Sequence, residues 1–438
     1  MTSKRSYRSA FAVITTLFFL WGFITVLVDS LIPRLRDVFE LSYFQAGLVQ
    51  FAFFAAYFVL SIPAGFILSK IGYQKGIVWG LITMAVGCLL FYPAASYRDF
   101  GIFLLGYFTL AGGITILQVA ANPYVALLGS EDGASSRLNL SQAFNSLGTA
   151  IAPVIGAMFL LSDSIKTSEE ISSLDELSRD TYYVSEASSV QVPFLMIACF
   201  IGLLVLFFLF IKLPKLMDDS PRRGYRKILK NRIVLMGSIG IFVYVGAEVA
   251  IGSYLVNYFL DMNLSVAVVD NKFMNNLAGR ILNSDLASMD KKAIVGAFVV
   301  FYWSGAMVGR FIGAYLTKIY NPSRVLSIFA ILAISMILIS MNTYGLVSMW
   351  SILAVGLFNS IMFPTIFTLT IDGMGDLKPQ VSGLLCTAIV GGALIPPLYG
   401  LLTDNIGFKM ALILLLICYG YIVIFGYIKL RSRSNKIV

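Results

Sequence analysis

The sequence predicts an all-α membrane protein of twelve transmembrane helices, arranged as two six-helix halves with both termini in the cytoplasm. Three observations predict this fold class. The chain of 438 residues is 58% hydrophobic and only 13% charged, with a mean hydropathy of +0.85. It contains twelve apolar runs long enough to span a membrane, and two short motifs of the first half recur in the second. Soluble domains carry about 45–50% apolar and about 25% charged residues, so this composition excludes a soluble enzyme, a nucleic-acid-binding protein and a disordered scaffold.

The apolar runs define the predicted helices. A helix needs about 20 apolar residues to cross the roughly 30 Å of hydrocarbon in a bilayer. Spans 1 to 12 are predicted at residues 10–32, 44–69, 75–97, 100–128, 139–162, 191–213, 233–260, 291–317, 323–341, 345–373, 379–403 and 407–430. Span 1 is expected to remain in the protein, because it is longer than the core of a signal peptide and carries Trp21 and Asp29.

The distribution of basic residues predicts the orientation. With the N-terminus inside, the inner segments hold 21 of the 32 Lys and Arg residues and the outer loops hold 10. Basic residues are retained on the cytoplasmic side, so both termini are predicted to be cytoplasmic. Two long connections stand out: an acidic, polar outer loop at 163–190 and a basic inner linker at 212–232. The linker is interpreted as a topology signal, with recognition of particular lipids as the alternative.

An internal repeat predicts the division into halves. Gly65-Phe-Ile-Leu-Ser-Lys70-Ile ends span 2, and Gly313-Ala-Tyr-Leu-Thr-Lys318-Ile ends span 8. A second pair of similar segments, around Pro123 in span 4 and Pro364 in span 10, lies at nearly the same offset. The spans of each pair face the same way, which indicates a parallel repeat with a substrate site between the halves. The predicted domains are therefore residues 1–211 and 233–438, joined by the linker.

Charged residues inside the spans are the first candidate functional residues. Ionisable groups in hydrocarbon are expensive unless they face a cavity or a partner. Asp29 lies in the outer part of span 1 and Glu248 near the middle of span 7. Both are predicted to bind and release a proton in each transport cycle; the alternatives are an interfacial residue for Asp29 and an interhelical hydrogen bond for Glu248. Arg310 in span 8 is interpreted as a structural gate rather than a substrate ligand.

Neutral polar residues recur at helical spacing and predict a polar cavity. Amides both donate and accept hydrogen bonds, as a polyol such as a sugar requires, and aromatic rings can stack on the apolar face of a pyranose. Interhelical hydrogen bonding is the alternative role for any single amide. The predicted substrate-binding residues are Gln118, Asn122, Gln142, Asn145, Asn359, Tyr244, Trp21 and Phe363.

Enzyme chemistry and metal chemistry are not predicted. The chain has no histidine, and Cys88, Cys199, Cys386 and Cys418 show no paired spacing. It offers no nucleophile–base pair, no phosphate-binding loop and no large soluble domain. No cofactor is expected, and the driving force is expected to be an ion gradient.

Four sequence motifs resemble the fucose–galactose–glucose/proton symporter family of the major facilitator superfamily. They lie at residues 44–50 (FQAGLVQ), 117–125 (LQVAANPYV), 137–148 (RLNLSQAFNSLG) and 359–367 (NSIMFPTIF). The loop after span 2 also resembles the superfamily signature, with Gly65, Lys70 and Gly72 in place but Ser69 where the acid is usual. The resemblance runs through nearly every span. It implies the major facilitator fold and alternating access.

The resemblance also implies roles for individual residues. Asp29 matches the span 1 acid of the proton and sugar site in the fucose branch, and Gln142 and Asn145 match amides that line its cavity. The fucose branch has a glutamate where Gln118 stands and a glutamine where Glu248 stands. The pattern around Glu248 is more similar to the glucose/galactose branch.

The predicted function is proton-coupled uptake of a hexose, glucose or galactose, across the bacterial inner membrane by a monomer. A symporter for fucose, N-acetylglucosamine or another monosaccharide, coupled either to protons or to sodium, is the first alternative, since the sequence does not choose the hexose or the ion. An efflux pump for hydrophobic compounds with the same fold is the second alternative. A membrane-bound enzyme or transceptor is the third alternative.

Overall fold

The computed structural model describes residues 2–29, 43–160, 175–216, 224–286 and 289–434. Within these ranges the chain is helical and has no β-strand. In the first half of the sequence the helices are α1 (Thr2–Asp29), α2 (Tyr43–Ile71), α3 (Tyr73–Tyr97), α4 (Phe100–Leu127), α5 (Ala134–Leu160) and α6 (Glu176–Phe210).

The second half contains long helices together with several short helical pieces. They are α7 (Tyr225–Ile228), α8 (Arg232–Asp261), α9 (Leu264–Asp270), α10 (Lys272–Leu282), α11 (Lys291–Gly296), α12 (Val299–Ile319), α13 (Pro322–Asn342), α14 (Gly345–Asn359), α15 (Met362–Ile371), α16 (Lys378–Thr387), α17 (Gly391–Ile406), α18 (Phe408–Ala411) and α19 (Ile413–Ser434). Predicted spans 8, 10 and 12 are thus each built from two helical pieces, and span 11 from α16, a 3₁₀ turn at Ala388–Val390 and α17.

Eleven helical segments within the described residues are long and apolar enough to cross a membrane. They coincide with eleven of the twelve predicted spans. The remaining prediction, span 5, falls on α5, which is 27 residues long and is not among the eleven. The all-helical, multi-pass class is therefore observed, while the count of twelve stays a prediction.

Two proline residues at the repeated positions free backbone carbonyls for contacts between helices. Proline has no N–H, so the carbonyl four residues before it loses its usual helical partner. Pro123 in α4 deprives the carbonyl of Val119 of its helical donor. That carbonyl instead accepts a hydrogen bond from Ser382 Oγ of α16 at 2.9 Å. Pro364 in α15 has the corresponding effect on Ser360, described below.

The connection predicted as a polar loop at 163–190 is partly helical. Helix α6 begins at Glu176, fifteen residues before predicted span 6, and residues 163–174 of the loop lie outside the described residues. Asp175 caps the helix, because its side chain accepts a hydrogen bond from the Ser178 amide. Hydrogen bonding from the Ser178 side chain, and then from its amide, holds the pKa of the exposed Asp175 carboxyl below its usual range.

The chain forms two compact units. The first comprises Met1–Gly129, Phe144–Ile228 and Met374–Thr387, and the second comprises Ser130–Ala143, Leu229–Gly373 and Ala388–Val438. Each unit therefore contains a short segment from the other half of the sequence. In the second unit Ser136 Oγ of α5 donates to the carbonyl of Ala314 at 2.7 Å, and Asn139 Nδ2 donates to Thr365 Oγ1 at 3.1 Å.

Candidate functional site

The predicted site residues are divided between the two units. The first unit holds Asp29, Trp21, Gln118, Asn122 and Asn145. The second holds Glu248, Arg310, Tyr244, Asn359, Phe363 and Gln142. Each set is described within its own unit.

The second unit contains an intramembrane ion pair. Arg310 Nη2 of α12 lies 3.8 Å from Glu248 Oε1 of α8, and the two side chains are only 16% and 15% exposed. A carboxylate that the sequence places in an apolar span thus has a cationic partner on a neighbouring helix.

The position of Arg310 follows from a proline in α15. Arg310 Nε donates to the backbone carbonyl of Ser360 at 3.3 Å. In a regular helix that carbonyl would accept from residue 364, but residue 364 is proline and α14 ends at Asn359. The break between α14 and α15 therefore supplies the acceptor that orients the guanidinium group toward Glu248.

The Glu248 oxygen that faces Arg310 accepts no hydrogen bond. Oε1 is buried and accepts no hydrogen bond from the described part of the protein, since its distance to Arg310 exceeds hydrogen-bonding range. Tyr244 is fully buried one helical turn earlier on α8. A buried oxygen of this kind is costly unless a donor or a proton reaches it.

Asn359 forms a second polar cluster in the same unit. Its Nδ2 donates to Tyr302 Oη at 2.7 Å and lies 3.5 Å from Tyr419 Oη, and all three residues are fully buried. Asn359 Oδ1 accepts no hydrogen bond from any described residue. The amide is therefore fixed by tyrosine hydroxyls on one side while its carbonyl oxygen is left for a donor.

The remaining predicted residues of this unit are buried as well. Phe363 is 9% exposed, and its ring centroid lies 5.9 Å from that of Phe367. Gln142 is 7% exposed and lies on the segment of α5 that belongs to this unit.

In the first unit, Asp29 is the last residue of α1. Its Oδ1 accepts a hydrogen bond from Tyr107 Oη of α4 at 3.1 Å. Asp29 is exposed at the end of its helix, whereas Tyr107 is buried. The hydrogen bond from Tyr107 therefore ties the carboxylate at the end of α1 to α4.

Gln118 and Tyr107 are connected through aromatic packing. Gln118 Nε2 donates to Tyr57 Oη at 2.7 Å. The ring of Phe53 packs on both tyrosines, with centroid distances of 5.4 Å to Tyr57 and 6.0 Å to Tyr107. Helices α2 and α4 thus carry a continuous group of polar and aromatic side chains between Asp29 and Gln118.

Asn145 and Trp21 lie where α1 meets α5. Asn145 Nδ2 donates to the carbonyl of Phe18 at 2.9 Å, and Phe18 packs on Trp21 at 5.2 Å between ring centroids. Gly22 permits this approach, because a Cβ there would lie 2.4 Å from the Asn145 carbonyl oxygen. Asn122 is completely buried in α4, directly before Pro123.

Three tyrosines were missed by the sequence analysis. Tyr107, Tyr302 and Tyr419 hold the predicted polar residues in place, yet tyrosine occurs 22 times in the chain and has no distinguishing spacing. The one usable signal is that a buried tyrosine hydroxyl in an apolar span needs a hydrogen-bond partner. That signal does not say which partner.

The arrangement suits binding of a neutral polyol together with proton exchange. Each unit by itself presents a carboxylate, amides and aromatic rings, and the described residues bring together no set of Cys, Asp or Glu side chains able to hold a metal ion. Hydroxyl groups would satisfy the open acceptors on Glu248 and Asn359, and rings would cover apolar sugar faces.

Comparison with known proteins gives concordant results. The model of the family described as Major Facilitator Superfamily matches residues 9–389. The glucose/galactose transporter of Brucella abortus biovar 1 (strain 9-941) is 45% identical over 434 residues, which cover 98% of this chain and 96% of that protein. The L-fucose-proton symporter of Escherichia coli (strain K12) is 33% identical, covering 99% of this chain and 95% of that one.

A solved structure also matches closely. The crystal structure of the major facilitator transporter FucP in the outward conformation superposes with a TM-score of 0.86 at 31% sequence identity. The match covers 97% of this chain and 99% of that chain.

Proposed function

Because the chain belongs to the Major Facilitator Superfamily, we propose that it is a proton-coupled sugar symporter that takes up glucose or galactose by alternating access. It is a transporter and not an enzyme, and the resemblance predicted from sequence motifs is confirmed by its relatives. The observation that carries the proposal is the 45% identity with a glucose/galactose transporter along almost the whole of both chains. A fucose symporter is the second candidate, since a fucose-proton symporter is 33% identical.

Proton coupling is assigned to Asp29 and Glu248. Support for Asp29 is its exposure at the end of α1 and its hydrogen bond from Tyr107. Support for Glu248 is its low exposure of 15%, its ion pair with Arg310 at 3.8 Å and the absence of a hydrogen bond to Oε1 from the described residues. Protonation of Glu248 would neutralise the carboxylate and weaken its attraction to Arg310.

Arg310 is proposed as the gating residue, because its contacts depend on whether Glu248 is protonated. With Glu248 ionised, the guanidinium group bridges α8, through the ion pair, and the α14–α15 break, through the Ser360 carbonyl. With Glu248 protonated, only the bond to Ser360 remains strong, so α8 is released from α12. Such a change gives a physical route from proton binding to helix movement.

Sugar binding is assigned to amides and rings of both units. The open Oδ1 of Asn359 supports a role in accepting a sugar hydroxyl. The proposed ligands are Gln118, Asn122, Gln142, Asn145, Asn359 and Tyr244, with Trp21 and Phe363 as stacking residues. We further propose twelve spans in halves 1–211 and 233–438, cytoplasmic termini, residence in the bacterial inner membrane and function as a monomer.

Transport in proteoliposomes tests the function and the driving ion together. Purified protein is reconstituted, a proton or a sodium gradient is imposed, and accumulation of labelled glucose, galactose, fucose and N-acetylglucosamine is measured. We expect uphill uptake of glucose or galactose with the proton gradient alone. Accumulation driven only by sodium would contradict proton coupling, and uptake indifferent to sugar identity would contradict a sugar transporter.

Two substitutions test the coupling residues. Glu248→Gln and Asp29→Asn are each expected to abolish accumulation against a gradient, while equilibrium exchange of sugar persists in at least one of them. Asp270→Asn, at an exposed position in α9, is the control and should transport normally. If both Glu248→Gln and Asp29→Asn still accumulate sugar uphill, the assignment is wrong.

A further inference from the structure

A cavity of about 710 Å³ lies in the first unit, away from every residue proposed to bind sugar or proton. It is formed by the end of α2, the start of α3 and the end of α6 with the chain that follows it, and Tyr124 of α4 closes one side. Its volume falls within the roughly 300–1,000 Å³ that is usual for small-molecule sites. By the predicted topology, it opens at the cytoplasmic membrane surface.

The rim of this cavity is strongly basic. Lys70, Lys75 and Lys215 line it, and all three are exposed. Lys70 Nζ also lies 4.1 Å from the centroid of the Phe66 ring, which supports its stem against α2. Among the described residues that line the cavity there is no aspartate or glutamate, so this lining favours an anion.

The N-terminus of α3 adds backbone donors to the lysines. Helix α3 runs for 25 residues from Tyr73, and Gly72 before it adopts a φ of +83° with no side chain capping the first turn. The first amides of a helix have no partner within the helix and carry a partial positive charge. Together with lysines, an uncapped terminus of this kind binds phosphate groups well.

A buried hydroxyl group in the same wall has no partner. Tyr73 is only 3% exposed, it lines the cavity, and its Oη makes no hydrogen bond with the described residues. The neighbouring polar groups are already engaged: Gln74 Nε2 donates to the carbonyls of Phe208 and Ile211, and Tyr124 Oη donates to that of Pro214. Tyr73 Oη is itself enclosed, so a shift of the ring toward the cavity would let an oxygen of a bound anion accept its hydrogen bond.

An apolar groove of about 440 Å³ adjoins the basic cavity. The two share Ile71 and Trp79 as lining residues. The groove runs along α2 and α3 and is otherwise lined by Leu60, Pro63, Ala64, Ile67, Leu68, Gly76, Thr83 and Ile116. A free phosphate or a sugar phosphate has no part that would fill such a groove, whereas the acyl chain of a lipid does.

From this juxtaposition, we propose that the first unit binds an anionic phospholipid of the inner leaflet. Its phosphodiester occupies the basic cavity, held by the three lysines, the α3 amides and Tyr73 Oη. One acyl chain lies in the adjoining groove against Trp79. The site ties α2, α3 and the chain after α6 to the bilayer surface, and it is independent of the proposed sugar specificity.

Fluorescence quenching by brominated lipids tests the proposal. The full-length protein is reconstituted into phosphatidylcholine vesicles in two series. One series contains increasing fractions of phosphatidylglycerol with dibrominated acyl chains, and the other contains increasing fractions of phosphatidylcholine with the same brominated chains. Subtracting the signal of Trp79→Phe isolates Trp79 from the other three tryptophans. Half-maximal quenching of Trp79 is expected at an about tenfold lower fraction for phosphatidylglycerol, because each lysine near the surface attracts anionic lipid.

Matched variants distinguish a built site from general surface charge. The triple substitution of Lys70, Lys75 and Lys215 to Gln should remove the preference for phosphatidylglycerol. The same substitution at Lys227, Lys230 and Lys318, which are equally exposed and lie outside the cavity, should keep it. An unchanged preference in the first variant, or an equal loss in both, would overturn the proposal.

Competition separates a lipid from a soluble anion. Inorganic phosphate or glycerol phosphate at millimolar concentration should leave the quenching by phosphatidylglycerol unchanged, since neither fills the groove. Displacement of the brominated lipid by inorganic phosphate would show that the site takes a free anion, and the assignment to a phospholipid would be wrong.

Discussion

Removal of either partner of the Glu248–Arg310 pair should destabilise the second unit, and removal of both should cost less than the two single changes together. The variants are Glu248→Gln, Arg310→Met and the double variant. Methionine keeps most of the apolar stem of arginine, and glutamine keeps the size of glutamate. Each single variant leaves one charge without its partner at a position only about 15% exposed.

The distance between the two groups sets the magnitude. At 3.8 Å, and with an effective dielectric constant of about 20, the Coulomb attraction between two unit charges is about 4 kcal/mol. A lone Glu248 can take up a proton and a lone Arg310 keeps its bond to Ser360, so the measured coupling should be smaller. We expect each single variant to lose about 3 kcal/mol of unfolding free energy and the coupling energy to be about 2–3 kcal/mol.

The unfolding free energies of the wild type, the two single variants and the double variant are measured with sodium dodecyl sulfate in mixed micelles at neutral pH. Together they form a double-mutant cycle that gives the coupling energy. Lys318→Gln, combined with Glu248→Gln, is the control, because Lys318 lies on the same helix as Arg310 but is exposed. That pair should be additive within about 0.5 kcal/mol. A coupling energy for Glu248 and Arg310 that is no larger than the control would refute the ion pair as a source of stability.

Three further predictions concern individual contacts. Tyr107→Phe removes the hydrogen bond to Asp29 and should lower the unfolding free energy by about 0.5–1.5 kcal/mol, measured in the same micelles. Gly391→Val should lower the unfolding free energy by about 1–3 kcal/mol, because a Cβ at residue 391 would lie 2.0 Å from the carbonyl oxygen of Phe242. An unfolding free energy equal to that of the wild type would contradict this close contact between helices. Gly420→Ala should leave the unfolding free energy unchanged or raise it by about 0.5–1 kcal/mol, because a Cβ at residue 420 would meet no atom of another helix within 4 Å. A marked fall in the unfolding free energy would contradict the open space at this position.

The helices were the most predictable part of the fold. Backbone groups in a bilayer must be satisfied within the chain, so a long apolar run has almost no alternative to a helix. Predicted spans at 75–97 and 323–341 differ from α3 and α13 by no more than two residues at each end. Connections in water lack this constraint, and there the prediction failed: residues 176–190 are helical, and α9 and α10 were not foreseen between spans 7 and 8.

The sequence identified the candidate residues but did not identify the residues that they contact. Asp29 and Glu248 were singled out because a charge in an apolar run is rare and expensive. Their partners, Tyr107 and Arg310, lie 78 and 62 positions away in the sequence, and no spacing rule connects them. Arg310 was predicted as a gate, and its position beside Glu248 came only from the packing of α8 against α12.

By itself, the sequence determined that this protein is helical, that it lies in a membrane and which few polar residues its spans carry, because hydropathy acts locally along the chain. Tertiary structure alone decided which atoms meet. Pro364 could be read as a helix interruption, but only the packed helices show that the freed Ser360 carbonyl orients Arg310. Likewise the three lysines at the basic cavity are separate charges in the sequence, and only the fold brings them to the lining of one cavity. Contacts between distant segments depend on side-chain packing in three dimensions, which no local pattern encodes.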